Sequence, residues 1–139
     1  MGKDAKKSCE VLLTVPFHDV DPMQMVWHGH YLKYFEIARS ALFAQSGLDL
    51  FHYFREKNCL FPIIKTATKH VASLGYLDEF TCSATVVEAQ YKIVVDFQIR
   101  LIRNHQLCAK GRTEQVAVQY PEKEILFEIP EDIREALGF

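Results

Sequence analysis

Two aspartates, three histidines and a tryptophan are concentrated in the stretch from Phe17 to Arg39. Up to Trp27 this stretch has no hydrophobic period and contains Asp-Pro, which predicts a loop. Helical spacing begins at about His30. A carboxylate close to the start of a helix can act as a base or nucleophile, and the unpaired N–H groups of the helix can stabilise an oxyanion. The stretch could therefore support acyl-transfer chemistry.

Asp21 is the main candidate for that chemistry. It lies several residues before the predicted helix, too far to be a simple N-cap. Most of its neighbours are apolar, which predicts partial desolvation of the carboxylate. A structural role for Asp21 is equally compatible with the sequence. Asp19 is predicted to be structural, holding loop amides through Asx-type hydrogen bonds.

His28 and His30 flank Gly29 at the predicted helix start. Their spacing could bind a metal, but no further cluster of histidines or carboxylates completes a ligand set, so we predict neither a metal nor a cofactor. The amides near His28 and Gly29 are predicted to form an anion site, and Gly29 would let a ligand approach the backbone closely. Glu36, inside the helix, is predicted to make a buried or interface hydrogen bond rather than to act in catalysis.

Length and composition indicate an ordinary globular protein. The 139 residues predict one domain, residues 1–139, and 49% hydrophobic with 24% charged residues is typical of a soluble chain. A net charge of −2 gives no electrostatic reason to expect nucleic acid. No apolar run approaches the roughly 20 residues of a membrane span. Residues 1–8 are polar and predicted to be frayed, and no apolar segment typical of a secretory signal follows them.

The distribution of the cysteines and the absence of common catalytic motifs exclude further classes of protein. Four cysteines are scattered singly and predict a reduced, cytoplasmic protein in which they act as small core residues. None lies at a predicted helix start, although a cysteine nucleophile is not formally excluded. The sequence contains no G-x-S-x-G, P-loop or G-x-G-x-x-G motif, which argues against the usual serine hydrolases, nucleotide kinases and Rossmann dehydrogenases. The cysteines are Cys9, Cys59, Cys82 and Cys108.

The hydrophobic pattern predicts an α+β protein. A long helix from Gly29 or His30 to Gln45, ended by Ser46-Gly47, has apolar residues around most of its circumference and is predicted to be buried on most of it. Strict alternation from Tyr91 to Leu101 predicts a long strand with one buried face. Several strands after one dominant helix favour a curved antiparallel sheet wrapped around that helix. The other predicted elements are strands at Cys9–Pro16, Phe61–Leu74, Phe80–Gln90 and Leu107–Tyr120, an edge segment at Lys123–Phe127, and helices at Leu48–Lys57 and Glu131–Leu137.

Several segments, most of them in the first third of the chain, match a known family pattern. They are Asp19-Val20-Asp21-Pro22, Val26-Trp27-His28, Tyr31-Leu32-Lys33-Tyr34-Phe35-Glu36 and Ala38-Arg39, with weaker matches at Phe61-Pro62-Ile63-Ile64 and Tyr76-Leu77-Asp78-Glu79-Phe80. These motifs resemble the 4-hydroxybenzoyl-CoA thioesterase family, and within it small acyl-CoA thioesterases of the Tol–Pal-associated type. The resemblance implies a hotdog fold and a homodimer or homotetramer with the site at a subunit interface. It also implies that Asp21 is the nucleophile or general base, that the His28 amide is an oxyanion donor, and that the His28 imidazole lies near the thioester.

Two positions depart from the family pattern. The family glycine after the second aspartate is Gln24, and a position that needs positive φ would be strained or reshaped by glutamine. The family asparagine before the tyrosine is His30. Both changes are expected to face the acyl group or the thioester. Besides His28 and Gly29, the candidates for binding substrate are Gln24, Trp27 and Tyr31.

The leading hypothesis is therefore a metal-free thioester hydrolase acting on acyl-CoA or on an acyl carrier protein. One alternative is a hotdog dehydratase or hydratase that uses the imidazole of His28 or His30 together with a carboxylate. Another is a non-catalytic acyl-thioester binding protein in which Gln24 has altered the loop. The sequence leaves open the acyl group and the choice between dimer and tetramer.

Overall fold

The computed structural model describes residues 7–139. Most of the predicted frayed start, residues 1–8, lies outside the described residues, but Ser8 already belongs to the first strand. Three helices and eight strands make up the regular structure of the described chain. The helices are α1 (Tyr31–Gln45), α2 (Leu50–Lys57) and α3 (Glu131–Ala136). The strands are β1 (Ser8–Thr14), β2 (Cys59–Leu60), β3 (Ile63–His70), β4 (Glu79–Glu88), β5 (Ile93–Leu101), β6 (Leu107–Gln115), β7 (Val118–Gln119) and β8 (Glu124–Ile125).

A five-stranded antiparallel sheet in the order β1-β4-β5-β6-β3 carries α1 on one face. A small antiparallel sheet in the order β2-β7-β8 lies beside it. This arrangement confirms the predicted α+β class and the hotdog fold.

The centre of α1 packs on the middle of the sheet. The ring of Phe35 stacks on Phe97, with centroids 4.6 Å apart and planes 17° apart. A Cβ on Gly111 of β6 would lie 2.3 Å from the Phe35 ring, so the helix can approach the sheet only because this residue is glycine. Tyr34 packs against Phe80 of β4 at 5.0 Å between centroids. These contacts fix the distance between helix and sheet.

The bounds of α1 agree with the prediction, but its burial does not. The helix begins at Tyr31, and Gly47 follows it with φ of +79°, as predicted for the C-terminal stop. The predicted burial around most of the circumference is wrong, because Leu32 is 43% exposed and Ile37 is 41% exposed. The sheet covers one side of the helix, and the other side stays open in the described chain.

The hydrophobic pattern of the sequence predicts some strands correctly and gives wrong bounds for others. The alternation of β5 is confirmed: Val95, Phe97 and Ile99 are buried. The predicted strand Phe61–Leu74 is shorter, Ile63–His70, and exposed along nearly all of its length because it is the edge of the sheet. The predicted strand Leu107–Tyr120 ends at Gln115, because Val118 joins the small sheet instead.

The cysteines are core residues, as predicted. Cys59, Cys82 and Cys108 are buried, Cys9 is half-buried, and all four thiols are free. Burial raises the pKa of the Cys82 thiol to about 12. None of the helices within residues 7–139 combines the length and the apolar content needed to cross a bilayer.

Candidate active site

A tight turn holds Asp21 in the segment of residues 17–27, which we call the aspartate loop. An isolated bridge between Val20 and Val26 closes the turn. Inside it, the amide of Asp21 donates to the carbonyl of Met25 (2.9 Å) and the amide of Gln24 donates to the carbonyl of Asp21 (2.8 Å). The Asp21 carboxylate accepts the amide of Met23 through Oδ1 at 2.8 Å. Local hydrogen bonds therefore orient this carboxylate without neutralising it.

Gln24 occupies the position at which the related family carries glycine, and its φ is +67°. A non-glycine residue in this region of backbone space is strained by roughly 1–2 kcal/mol. The loop keeps its turn despite the substitution, because the amide of Gln24 still donates to the Asp21 carbonyl. The Gln24 side chain is exposed to solvent.

A cavity of about 270 Å³ opens beside Asp21. Its polar lining comes from three separate parts of the chain: the aspartate loop, the turn before α1, and the end of β3. The rest of the lining is largely apolar, as is usual for a small-molecule site with a few convergent polar groups. The lining residues are Asp21, Met23, Met25, Val26, His28, Tyr31, His70, Val71, Ala72 and Ser73.

The chain enters α1 through a single 3-10 turn, His28–His30. The amide of Trp27 donates to the carbonyl of Asp19 (3.1 Å), and that of His30 donates to the carbonyl of Trp27 (2.9 Å). Between them, the amides of His28 and Gly29 have no acceptor within residues 7–139. Two adjacent unpaired amides beside a cavity are suited to bind an anionic oxygen.

Gly29 has a packing reason to be glycine. A Cβ at this position would lie 2.2 Å from the indole ring of Trp27, which covers the residue. Trp27 is 49% exposed, and its ring lies 5.1 Å from that of His28 between centroids. Neither Gly29 nor Trp27 lines the cavity, and Gln24 does not line it either. Of the predicted site residues, the structure brings together Asp21, His28 and Tyr31.

The sequence analysis missed His70. It ends β3, and its ring stands edge-on to Tyr31, with centroids 4.6 Å apart and planes at 90°. The His28 ring is 6.3 Å away. Tyr31 itself is buried, and burial raises the pKa of its phenol. Alternation along the predicted strand could have placed His70 on the helix-facing side, but no local pattern shows that this strand ends at the aspartate loop.

Asp19 has the structural role that was predicted, but its carboxylate has other partners than the predicted ones. It is only 1% exposed, and its carboxylate holds side chains rather than loop amides. Oδ1 accepts from Lys33 Nζ and Oδ2 accepts from the Tyr34 hydroxyl, both at 2.6 Å. Burial alone would raise the pKa of Asp19, but these two hydrogen bonds, together with the electrostatic effect of Lys33 and His30, outweigh it and hold the pKa below its usual range. The predicted Asx-type bond belongs to Asp21 instead.

Glu36 makes the ion pair that its helical spacing allows, with Arg39. Glu36 is 59% exposed in the described chain, so of the two predicted environments the buried one is wrong and the interface one stays a prediction. Arg39 is buried and also donates to the Thr113 hydroxyl at 3.1 Å. Both residues line a larger cavity of about 740 Å³. No group of three or more metal-binding side chains with suitable spacing occurs in the described part of the chain.

The fold and the site together define a hotdog-fold protein with a carboxylate beside a helix start. The chain belongs to the thioesterase-like superfamily, whose family model matches residues 15–137. It is thus a thioester hydrolase, as the resemblance implied.

Individual relatives are distant in sequence. The candidate esterase sll0410 of Synechocystis sp. is 24% identical over 134 residues, which cover 95% of this chain and 80% of that protein. A Synechocystis 1,4-dihydroxy-2-naphthoyl-CoA thioesterase matches with a TM-score of 0.86 at 18% identity, covering 94% of this chain and 95% of its own. The 4-hydroxybenzoyl-CoA thioesterase of Pseudomonas sp. strain CBS-3 matches with a TM-score of 0.83 at 20% identity, covering 94% and 99%.

Proposed function

We propose that this chain hydrolyses acyl-CoA thioesters and that Asp21 is its nucleophile or general base. The observation that carries the proposal is the shared cavity, which is lined by Asp21 and by His28 at the start of α1. The similarity to CoA thioesterases supports a CoA-linked acyl group. An acyl-carrier-protein thioester has the same reacting group and is the second proposed substrate source.

In the proposed reaction the thioester carbonyl lies between the Asp21 carboxylate and the free amide of His28, which lines the cavity, with the free amide of Gly29 next to it in the chain. Asp21 either attacks the carbonyl carbon or removes a proton from the attacking water. The amides stabilise the oxyanion, and each such donor is typically worth about 10²–10³-fold in rate. When the carbonyl re-forms, the carbon–sulfur bond breaks and the sulfur leaves as a thiolate. In the general-base route Asp21 gives the proton that it took from water to this thiolate. In the nucleophilic route water hydrolyses the acyl–Asp21 anhydride, which releases the acid, restores the carboxylate and supplies the proton of the thiol. The imidazole of His28 lines the cavity, where it would position the thioester.

The direct test is thiol release from aromatic, short-chain and long-chain acyl-CoAs. We expect release from at least one class, and we expect Asp21→Asn to remove nearly all of it. The matched control is Asp96→Asn, because Asp96 pairs with Arg112 on the sheet, away from the cavity. Full activity of Asp21→Asn would contradict the mechanism. A changed acyl chain with the thioester intact would indicate hydratase or dehydratase chemistry instead.

We further propose a homodimer or homotetramer that uses the β3 edge. One edge of β3 pairs with β6, and the other has no neighbour in the described chain. Ile64 on this strand is 54% exposed, and unpaired strand edges readily pair with another chain. Because β3 ends at His70, a partner at this edge would lie next to the cavity.

Sedimentation of Ile64→Lys and of the parent, compared for oligomeric state, tests the proposed interface. We expect this variant to shift towards the monomer, because a charge at the interface core is unfavourable. Phe127→Lys is the control, since Phe127 is 82% exposed and lies after β8, outside the large sheet. An unshifted Ile64→Lys oligomer would place the interface elsewhere.

A cytoplasmic location is also proposed, on the evidence of four free thiols, three of them buried. Disulfides are rare in reducing compartments. Fractionation of cells that express the chain tests the location. Recovery of the protein from an oxidising compartment would contradict it.

A further inference from the structure

Asp19 connects the aspartate loop to the first turns of α1. Through its backbone carbonyl it accepts the amide of Trp27, at the end of the loop. Through its carboxylate it accepts hydrogen bonds from Lys33 and Tyr34, on the helix. One residue thus holds both segments whose relative position decides where Asp21 and the unpaired amides lie.

The surroundings of Asp19 contain the Lys33 ammonium and two imidazole rings. The imidazole Nε2 atoms of His18 and His30 lie 3.7 and 3.8 Å from its Oδ1. Lys33 keeps part of its side chain in solvent, 43% exposed, while the Asp19 side chain is 0% exposed. A buried carboxylate with this many donors around it is rigidly placed, because removing any donor leaves it less well satisfied.

Reactions of this kind are sensitive to small displacements of the reacting groups. We propose that Asp19 is a positioning residue for thioester hydrolysis, which fixes the aspartate loop, and so Asp21, against the start of α1. The inference rests on the proposed function of Asp21. Asp19 itself does not line the cavity, so it would act through its neighbours rather than on the substrate.

The test compares steady-state kinetics of Asp19→Asn, Tyr34→Phe and Lys33→Gln with the parent. A misplacement of about 1 Å can cost about 10²-fold in rate, so we expect Asp19→Asn to lose about that factor in kcat with KM within about threefold. Tyr34→Phe and Lys33→Gln each remove one hydrogen bond and should lose less. Lys92→Gln is the control, because Lys92 forms a similar ion pair with Glu114 on the sheet.

A double variant separates positioning from general damage. If Asp19 acts through Asp21, adding Asp19→Asn to Asp21→Asn should lower kcat by less than about twofold further, since residues of one unit are not additive. Hydrogen exchange supplies a readout that does not depend on activity. The amide hydrogens of Trp27 and His30 should exchange faster in Asp19→Asn than in the parent. In Asp21→Asn their exchange rates should equal those of the parent.

The outcomes are distinguishable. An Asp19→Asn enzyme with parental kcat overturns the proposal even if Asp21→Asn is inactive. Unchanged exchange at Trp27 and His30 overturns it as well. Full activity of Asp21→Asn defeats the proposed function, and the exchange data then still decide whether Asp19 holds the loop. If Asp19→Asn fails to fold, Tyr34→Phe must show the kcat loss, and a parental kcat in that variant overturns the proposal.

Discussion

Asp19 and Asp21 are separated by one residue in the same loop, yet their environments are opposite. Asp19 is buried and accepts hydrogen bonds from a lysine and a tyrosine of α1. Asp21 is half-buried, accepts one local amide and lines a cavity. A carboxylate saturated with donors is a poor base and a poor nucleophile, whereas one with an unoccupied oxygen beside a cavity is available for chemistry. The same residue type therefore serves as an anchor at one position and as a reactive group at the other.

The strongest test of these two different roles is to make the same isosteric change, Asp to Asn, at both positions. Asp21→Asn should lower kcat by about 10²–10⁴-fold, the range typical for loss of an acid–base group. Its stability should stay within about 0.5 kcal/mol, because an asparagine oxygen can still accept the Met23 amide. Thiol release and urea unfolding measure the two effects. A large stability loss in Asp21→Asn would mean that both aspartates are anchors.

Asp19→Asn should show the complementary result in stability. Removing the charge leaves Lys33 without its partner and the buried site less well satisfied, which typically costs about 3–5 kcal/mol. Since Lys33 is partly exposed, we expect about 3 kcal/mol, the lower end of that range. Urea unfolding at neutral pH measures it, with Lys92→Gln as the control for loss of an exposed ion pair. A change below about 1 kcal/mol would contradict the anchor role.

The comparison of the parent with Asp19→Asn also predicts how the stability difference between them depends on pH. The pKa of Asp19 is lowered in the folded protein, so its contribution to stability is fully present above the unfolded pKa near 3.8. It is lost as the pH falls through the lower folded pKa. The stability difference between the parent and Asp19→Asn should therefore shrink below about pH 4. Unfolding measured from pH 7 to pH 3 checks this, and a difference that stays constant over that range would exclude the charged anchor.

The Asp21 site could largely be predicted from the sequence, because the residues that form it are close together in the chain. The loop, the helix start at Tyr31 and the turn that positions Asp21 all follow from residues close together in the chain. Family resemblance added the role of Asp21, which residue chemistry alone left open. The positive φ at Gln24 followed from comparing one residue with the family glycine.

What could not be predicted depends on pairing between distant segments. Asp19 meets Lys33 and Tyr34 only after the loop folds back on α1, and two aspartates with similar neighbours in sequence give no sign of which one is buried. His70 reaches the site because β3 pairs with β6, which places Thr66, Thr68 and His70 opposite helix-facing residues. β3 is exposed because it is an edge strand, and Leu32 is exposed because the sheet covers only one side of α1. The hydrophobic periodicity of the sequence shows neither.

Substitutions of His70 test whether the reactive site around Asp21 includes residues of β3. Its imidazole lies in the cavity and touches the Tyr31 ring. His70→Phe keeps the edge-on aromatic contact and removes the nitrogens, whereas His70→Ala removes both. We expect His70→Ala to lower kcat/KM by about tenfold, as loss of one aromatic contact worth about 0.5–1.5 kcal/mol would do, and His70→Phe to lower it less. Equal losses in both variants would show that the nitrogens matter, and parental values in both would remove His70 from the site.

Gln24 gives the smallest expected effect. Its φ of +67° is unfavourable for any residue with a Cβ, so Gln24→Gly should be more stable than Gln24→Ala by about 1 kcal/mol. Gln24→Ala is the matched control because it shortens the side chain while keeping the strain. The Gln24 side chain lies outside the cavity, so both variants should keep parental kcat. A loss of activity in Gln24→Ala but not in Gln24→Gly would show that the Gln24 side chain is needed to hold Asp21 in place as long as this turn is strained.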